Sequence, residues 1–251
     1  MNPTGERIDL SIVIPVKNEE ANVQPLVKKI LELCNRLPSF EILFVNDGST
    51  DSTEQHLKEL SLSMGCVRYI SVEKKEGGAT IGSALRLGFK SARGEKIVIM
   101  DGDLTHDPAY ILEMLAALEG ADMVLGSRYI EGGFSAENSR LKGFLSRFVS
   151  RLTCYLFGVP VHDSSHSYRA LRAIIIPKLD LCSKGFIVNY EMTIKAHMAG
   201  LRLQEIPVKN LFRAKDSSKF RMGEAFRDYS IFIARIFIPA LARRLKLGLF
   251  L

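Results

Sequence analysis

Five short apolar runs, separated by segments of helical spacing, hold the first half of this chain to one class of fold. LSIVIPV (10–16), EILFVNDGS (41–49), VRYISV (67–72), EKIVIMDGD (95–103) and ADMVLGSRY (121–129) carry continuous apolar stretches rich in β-branched residues. Runs of this kind suit strands buried on both faces. Between the first two, Val23, Leu26, Val27, Ile30, Leu31 and Leu33 repeat at helical spacing across 20–37, and further helices are expected from about 52 to 63 and from 80 to 92. This alternation predicts an α/β fold: a single doubly wound, mostly parallel sheet with helices on both faces. Open sheets of that type bind ligands beyond the carboxyl ends of their strands. PVKNE, VNDGSTD and DGD all fall at such ends, so three strands bring polar residues to one edge, where a nucleotide-sized ligand belongs.

The alternation breaks after Arg128. GGFSAEN (132–138) reads as a loop, and Leu141, Phe144, Leu145, Phe148, Val149, Leu152, Tyr155 and Leu156 then mark a helix over 140–157. Its other face carries Arg140, Lys142, Arg147 and Arg151. Such a helix can lie on a membrane surface or pack on a core with its basic residues in water. LRLQEIPV (201–208) reads as a strand and FRAKDSSKF (212–220) as a basic loop. The stretch 229–242 is apolar except for Ser230 and Arg235, contains Pro239, and at 14 residues is too short to span, since a spanning helix needs ~20. Arg243, Arg244 and Lys246 follow it and suit anionic headgroups. We therefore expect one domain over 1–222 with a C-terminal elaboration, an apolar and basic helical segment over 223–251 suited to a membrane surface.

The net charge of +6 conceals a division: residues 1–125 hold 13 basic and 19 acidic side chains, net −6, and residues 126–251 hold 21 and 9, net +12. An anionic partner is expected on the second half. Nucleic acid, an acidic membrane or a phosphorylated substrate would all answer to it, but no aromatic-interleaved basic strand or recognition-helix pattern supports nucleic acid. Four scattered cysteines (Cys34, Cys66, Cys154, Cys182) make neither a zinc site nor a disulfide framework and fit a reducing compartment. The start, MNPTGERIDLSIVIPV, lacks a signal peptide's basic n-region and long apolar stretch. The expected location is the cytoplasmic face of a membrane, held peripherally.

Asp101 and Asp103 flank Gly102 at the end of an apolar run. Two carboxylates so placed repel each other unless a positive charge joins them. Mg²⁺ or Mn²⁺ is the expected cofactor, because such cations are held by one or two carboxylates together with substrate phosphates, and the glycine allows close backbone approach. The alternative is a solvated turn, which the buried strand disfavours.

SIVIPVKNE, EILFVNDGSTDST, EKIVIMDGDLTHDP, DMVLGSRY, HDSSHSYRALR and KGF…E, in this order from residue 11 to about 220, resemble the family 2 glycosyltransferases with the GT-A fold. Within that family the chain is most similar to the dolichol-phosphate mannosyltransferase and polyprenyl-phosphate glycosyltransferase branch. The resemblance implies that 1–222 is a catalytic domain, with a nucleotide half (1–125) and an acceptor half (126–222), and that it performs inverting transfer of a hexose, mannose or glucose, from a nucleotide sugar such as GDP-mannose to a polyprenyl or dolichyl phosphate. A soluble enzyme acting on a hydroxyl is the alternative, and a non-catalytic binding module a remote one. By resemblance, Pro15, Lys17 and Glu19 contact the nucleotide, Val45 and Asp47 the base, and Asp101 and Gly102 the ribose and diphosphate. Asp103, with Asp101, holds the metal; Thr105 stands where relatives have a ligating glutamine, and a water is expected in its place. Arg128 and Asp163 join Asp103 as catalytic residues. Lys184 meets the donor diphosphate, and Arg128, Lys142, Ser146, Arg213 and Lys219 the acceptor phosphate. Other readings stay open: strand-end packing for Pro15 and Val45, an ion pair for Arg128, a solvated loop for Arg213 and Lys219, and a helix N-terminal charge for Glu191. His166 is expected to be solvated or hydrogen-bonded, with no role.

Overall fold

The computed structural model describes residues 8–72, 80–135, 140–211, 229, 231 and 232, with the backbone alone for Cys34 and for 140–145. The apolar runs become β1 (Leu10–Val16), β2 (Phe40–Asn46), β3 (Val67–Ser71), β4 (Lys96–Ile99) and β5 (Met123–Ser127). Helices α1 (Glu20–Leu31), α2 (Thr53–Ser63), α3 (Ile81–Ser91) and α4 (Tyr110–Ala117) connect them. Then follow β6 (Phe134–Ser135), α5 (Arg140–Phe157), β7 (Arg169–Arg172), α6 (Ile176–Leu179), α7 (Ile187–Met198), β8 (Leu203–Pro207) and β9 (Lys209–Asn210).

Seven strands form one sheet in the order β3-β2-β1-β4-β7-β5-β8. All pairings are parallel except those of β7, which runs antiparallel to both β4 and β5. The mostly parallel sheet is as expected; the reversed strand at its middle is not legible in the sequence. RALR is four residues long and begins and ends in arginine, yet Arg169 is fully buried there. The helical pattern over 20–37 stops at Leu31, and a 3₁₀ turn, Cys34–Arg36, covers the rest. The stretch read as a loop over 132–138 contains β6, which pairs in parallel with β9 as a second, two-stranded sheet.

Two apolar layers cover the sheet. On one face Val23, Leu26 and Ile30 of α1, Leu57 of α2, and Ile111 and Met114 of α4 pack on Ile12, Ile14, Ile42 and Phe44. On the other, Ala84, Leu85 and Phe89 of α3, Cys154 of α5 and Val188 and Met192 of α7 pack on Val13, Leu43, Val45, Ile97 and Ile99. Gly88 lets α3 lie close: a Cβ there would stand 2.6 Å from Val13 Cγ1. A threonine–serine capping box at Thr80 and Ser83 starts that helix. The expected boundary between nucleotide and acceptor halves, at 125/126, falls inside β5, so both halves contribute to one sheet.

At the amino edge of the strands Glu41 is buried, and its carboxylate accepts from Ser11 Oγ at 2.7 Å, the Arg93 N–H at 2.8 Å and Arg68 Nη1 at 2.5 Å. This charge staples the edge opposite the polar strand ends. Glu41→Ala orphans the buried donors and is expected to lower unfolding free energy by about 2 kcal/mol or more. Chemical denaturation reads that loss. Any activity housed at the carboxyl edge should be unchanged per folded molecule, and a loss of activity without a loss of stability would refute the division of labour.

Candidate active site

Because β2, β1 and β4 are neighbours, the polar residues that follow them meet at one edge. The turn after β1 is stitched to the turn after β2. Asn18, at φ 55°, accepts the Thr50 N–H on Oδ1 at 2.8 Å, and its own N–H donates to Ser49 Oγ at 3.0 Å. The Glu19 N–H donates to Thr53 Oγ1 at 2.8 Å, and Glu20 accepts the Ser52 N–H at 3.0 Å. Lys17 and Glu19 are half-buried on this joint, with Glu19 accepting from Asn22 Nδ2 at 2.6 Å. Asp47 is buried beside it and its N–H donates to Val16 O at 2.8 Å. Pro15 is half-buried. Val45 has no exposure: its side chain lies in the core under α3, so strand packing accounts for it and its side chain has no face toward a base.

The turn after β4 holds both motif carboxylates. Gly102 is buried, and a Cβ on it would stand 2.5 Å from Val16 Cγ1. The glycine is needed for contact with β1, a requirement the sequence reading had placed on the ligand. Leu104 takes a left-handed φ of 64°, sparsely populated for a side chain branched beyond Cβ. Thr105 compensates by donating to Asp103 Oδ1 from its hydroxyl at 2.6 Å and its N–H at 3.1 Å. Its hydroxyl is thus a donor to the carboxylate. Asp101 Oδ2 accepts from Ser167 Oγ at 2.8 Å, and the Asp101 N–H donates to Nδ1 of buried His106 at 3.0 Å.

Beyond β5, Arg128 grips Asp163: Nε donates to Oδ2 at 2.7 Å, Nη2 to Oδ1 at 3.1 Å and the backbone N–H to Oδ2 at 3.2 Å. Asp163 has no exposure. Burial pushes its pKa up, but the Arg128 charge and hydrogen bonds prevail and leave it at about 2. The ion pair considered for Arg128 is therefore present, and Asp163, fully engaged and ionised, holds the arginine and has no opening to act as a base. Nη2 of Arg128 also donates to Ser165 Oγ at 3.2 Å. The Arg128 and Arg147 guanidinium carbons lie 4.9 and 4.7 Å from the Tyr129 ring centre, a cation–π geometry for each. Tyr129 donates its hydroxyl to Ser146 Oγ on α5 at 3.1 Å.

The loop carrying Asp163 reaches this edge because β7 runs antiparallel, so the residues before it arrive where the parallel strands end. Glu205 accepts the His162 and Asp163 N–H groups at 2.8 and 2.9 Å. Ser150 Oγ accepts the Ser164 N–H at 2.8 Å, and Arg169 donates to the Ser164 and His166 carbonyls at 2.8 and 2.7 Å. Burial lowers the Arg169 pKa to about 9, against the pull of Asp163 and Tyr190, which leaves it charged at neutral pH. His166 is buried, not solvated, with Nε2 2.9 Å from Asn210 Oδ1, and burial together with Arg128 keeps it well below its usual pKa. The sequence reading missed Ser165, Ser167, His106, Arg169 and Glu205; the first four lie inside quoted motifs, where their small or lone polar side chains gave no separate signal.

Lys184 is exposed, on a loop whose carbonyl accepts the Gly82 N–H of α3 at 2.7 Å. Glu191, inside α7 and not at its N-terminus, is buried and accepts the Cys182 and Ser183 N–H groups at 3.1 and 2.8 Å and Lys195 Nζ at 2.8 Å. Burial pushes its pKa up, and these bonds outweigh that and lower it. Its work is to fix the Lys184 loop. Arg213, Lys219 and the stretch 233–251 lie outside the described residues, as does the side chain of Lys142. On α5 the predicted apolar stripe divides: Val149 packs on the domain, together with Cys154 and Phe157, which lie outside that stripe. Phe148, Leu152 and Tyr155 are exposed, Tyr155 by 85%, beside exposed Arg147 and Arg151.

Among the described residues no group of three or more His, Cys, Asp and Glu side chains could hold a metal alone. Two carboxylates with hard oxygen donors suit Mg²⁺ or Mn²⁺ when a diphosphate completes the shell, and Asp101 and Asp103 fit that demand.

Residues 11–179 match the family model described as Glycosyl transferase family 2. The chain is 32% identical over 204 residues to the polyprenol monophosphomannose synthase of Mycolicibacterium smegmatis, covering 78% of this chain and 75% of that protein. It is 31% identical to the dolichol-phosphate mannosyltransferase of Pyrococcus furiosus, covering 90% and 63%. It is likewise 31% identical to the dodecaprenyl-phosphate galacturonate synthase of Rhizobium johnstonii, covering 90% and 66%. The chain thus spans less than two thirds of the length of the latter two. The fold matches that of glucosyl-3-phosphoglycerate synthase from Mycobacterium tuberculosis, crystallised with Mn²⁺, UDP and glucosyl-3-phosphoglycerate, with a TM-score of 0.66 and 20% identity over 94% of this chain and 80% of that one. The sheet described above is accordingly the GT-A fold.

The Arg128–Asp163 pair sets a pH signature. The Asp163 pKa of about 2 lies below its unfolded value near 3.8, so its stabilisation is complete above pH ~4 and disappears as pH falls through 2. Asp163→Asn is expected to cost about 3 kcal/mol at pH 7 by leaving Arg128 buried without its partner. Denaturation between pH 7 and pH 2 should show the gap from wild type closing only below pH 4; a gap independent of pH would refute the ionised pair.

Proposed function

The chain belongs to glycosyl transferase family 2 and is a glycosyltransferase, and from that premise we propose that it transfers a hexose, with inversion, from a nucleotide sugar to a polyprenyl or dolichyl phosphate at a membrane surface. One observation carries the reading. A single loop donates from Ser167 to Asp101 on the nucleotide side and from Ser165 to Asp163, beside Arg128, on the basic side. Donor and acceptor groups thereby share one rigid support.

In the proposed reaction an oxygen of the acceptor phosphate attacks the anomeric carbon as the bond to the diphosphate breaks, and the nucleoside diphosphate leaves. A phosphate acceptor is ionised at neutral pH and needs no strong base, in keeping with a site whose buried Asp163 is committed to Arg128. A divalent cation at Asp101 and Asp103 would stabilise charge on the leaving diphosphate. Lys17, Glu19, Asp47 and the Gly102 backbone line the nucleotide, with Lys184 toward the diphosphate. Arg128, Lys142, Ser146, Arg213 and Lys219 receive the acceptor phosphate, with Asp163 a positioning residue for Arg128. GDP-mannose is the first donor to try and UDP-glucose the second.

No helix among the described residues is long and apolar enough to cross a membrane. We place the enzyme peripherally on the cytoplasmic face, with 1–222 as catalytic domain and 223–251 as a further attachment. Phe148, Leu152 and Tyr155 form an exposed apolar stripe one helical face wide, flanked by Arg147 and Arg151, the arrangement that seats a helix among anionic headgroups.

Incubation with a panel of labelled nucleotide sugars, a polyprenyl phosphate and Mg²⁺ or Mn²⁺ tests the assignment. Label is expected in the organic phase; label only in water-soluble product would favour a hydroxyl acceptor, and none would refute transfer. Asp103→Asn should cost roughly a hundredfold or more in turnover with the fold retained. Activity within a few-fold of wild type, or indifferent to chelator, would sink the metal assignment. Arg213→Ala and Lys219→Ala should each weaken acceptor use by about 1.5–3 kcal/mol while sparing donor affinity; equal losses for both substrates would count against a lipid-phosphate role.

Phe148→Ser, Leu152→Ser and Tyr155→Ser together should reduce partition onto anionic vesicles at least tenfold, since each exposed side chain offers ~1.5–3 kcal/mol of burial. Unchanged partition would remove α5 from the membrane contact.

A further inference from the structure

We propose that His106 is a positioning residue that closes the carboxylate turn and fixes the spacing of Asp101 and Asp103; this rests on the reading of those two residues as the cation site. The turn from Asp101 to His106 has little to hold it by chain preference, for Leu104 sits at φ 64°, a conformation that L side chains disfavour. His106 ties its ends together: Nδ1 accepts the Asp101 N–H at 3.0 Å. A nitrogen that accepts carries no proton, so the ring is the neutral tautomer with its proton on Nε2. Nε2 lies 3.7 Å from Asp101 Oδ2. That is too long for a hydrogen bond, so the contact of Nδ1 with the backbone is the one that holds the turn.

The ring itself is locked. It is 2% exposed, stacks on Tyr168 at 4.7 Å with 6° between planes, and meets the His166 ring at 5.0 Å. Tyr168 donates its hydroxyl to Asp107 O at 2.8 Å, just after the turn, and His166 is in turn held by Asn210 at 2.9 Å. Inside the turn, Thr105 fixes Asp103 through its hydroxyl at 2.6 Å. Each carboxylate therefore has its own anchor, Thr105 for Asp103 and Ser167 with His106 for Asp101. His106 joins the start of the turn to its end. With Nδ1 occupied by the backbone, the imidazole is an orienting group and not a ligand, the part an outer-shell partner plays around a metal.

The test compares His106→Asn, whose amide oxygen can stand where Nδ1 does, with His106→Phe, which keeps the stack on Tyr168 but accepts nothing. His106→Gln, whose acceptor lies one bond further out, replaces the phenylalanine variant should that not fold. Affinity for GDP and for UDP is measured by calorimetry with Mn²⁺ and with chelator, alongside ¹⁵N NMR of the metal-free protein. We expect wild type to show His106 as the Nε2–H tautomer. The phenylalanine or glutamine variant should lose at least tenfold of the Mn²⁺-dependent affinity, with chelator-resistant binding unchanged, and asparagine should recover most of it. Retention of the metal-dependent affinity within twofold in the phenylalanine or glutamine variant, or a proton on Nδ1, overturns the positioning role. Wild-type nucleotide binding that ignores Mn²⁺ overturns instead the cation reading on which the role depends, whatever the tautomer.

Discussion

One antiparallel strand in the middle of an otherwise parallel sheet decides what this site can contain. Parallel strands all finish at the same edge, so β1, β2, β4 and β5 bring only the residues that follow them. β7 runs the other way between β4 and β5, and the residues that precede it, 162–168, land at that edge too. Its register starts with Arg169 opposite Ile99 and Leu125, so an arginine lies at the sheet's centre. A buried charge is costly without partners. Arg169 meets that cost by donating to the Ser164 and His166 carbonyls and to Thr193 Oγ1, which pins the loop it introduces.

Rigidity of that loop has a chemical consequence. Groups that stabilise charge in a transition state act best when they need not reorganise. Asp163 cannot turn from Arg128, because Glu205 holds its backbone and the bidentate contact holds its carboxylate. Arg128 in turn meets the Tyr129 ring, and Tyr129 binds Ser146 on α5. From Ser167 at Asp101 to Ser146 on the exposed helix, the contacts form one continuous frame. Its links are hydrogen bonds, joined by the cation–π contact of Arg128 with Tyr129.

Much of this was legible in the sequence. The strand ends after β1, β2 and β4 could be read because β-branched runs give the strands and the polar residues that follow can only lie at their carboxyl ends. Helix α5 was read with its bounds, since 18 residues of amphipathic spacing leave little choice. β7 was not, because four residues bounded by arginines carry no strand signal when burial of Arg169 depends on partners far along the chain. α7 escaped for a related reason: nine of its 12 residues are buried, so it lacks the polar face that periodicity detects. Val45 and Gly102 show the limit for sites. Both stand at the predicted edge, but one points into the core and the other is glycine because Val16 lies against it. Sequence gave the positions; only packing gave their facing.

The division of charge along the chain takes on a different meaning once the sheet is known. An acidic first half and a basic second half suggest two separate surfaces, yet β4 and β5 flank the same β7, and their ends carry the carboxylate pair and Arg128 respectively. Two carboxylates one residue apart disfavour each other's ionisation, and Arg128 makes its bidentate contact with Asp163. The Asp163 carboxylate holds Arg128 at the end of β5, while Ser167 and Thr105 hold Asp101 and Asp103 at the end of β4. In the proposed reading a divalent cation joins that carboxylate pair, with phosphate oxygens completing its shell. On the proposed reading, the acidic end of β4 and the basic end of β5 serve the metal-bound donor and the anionic acceptor at one edge of the sheet.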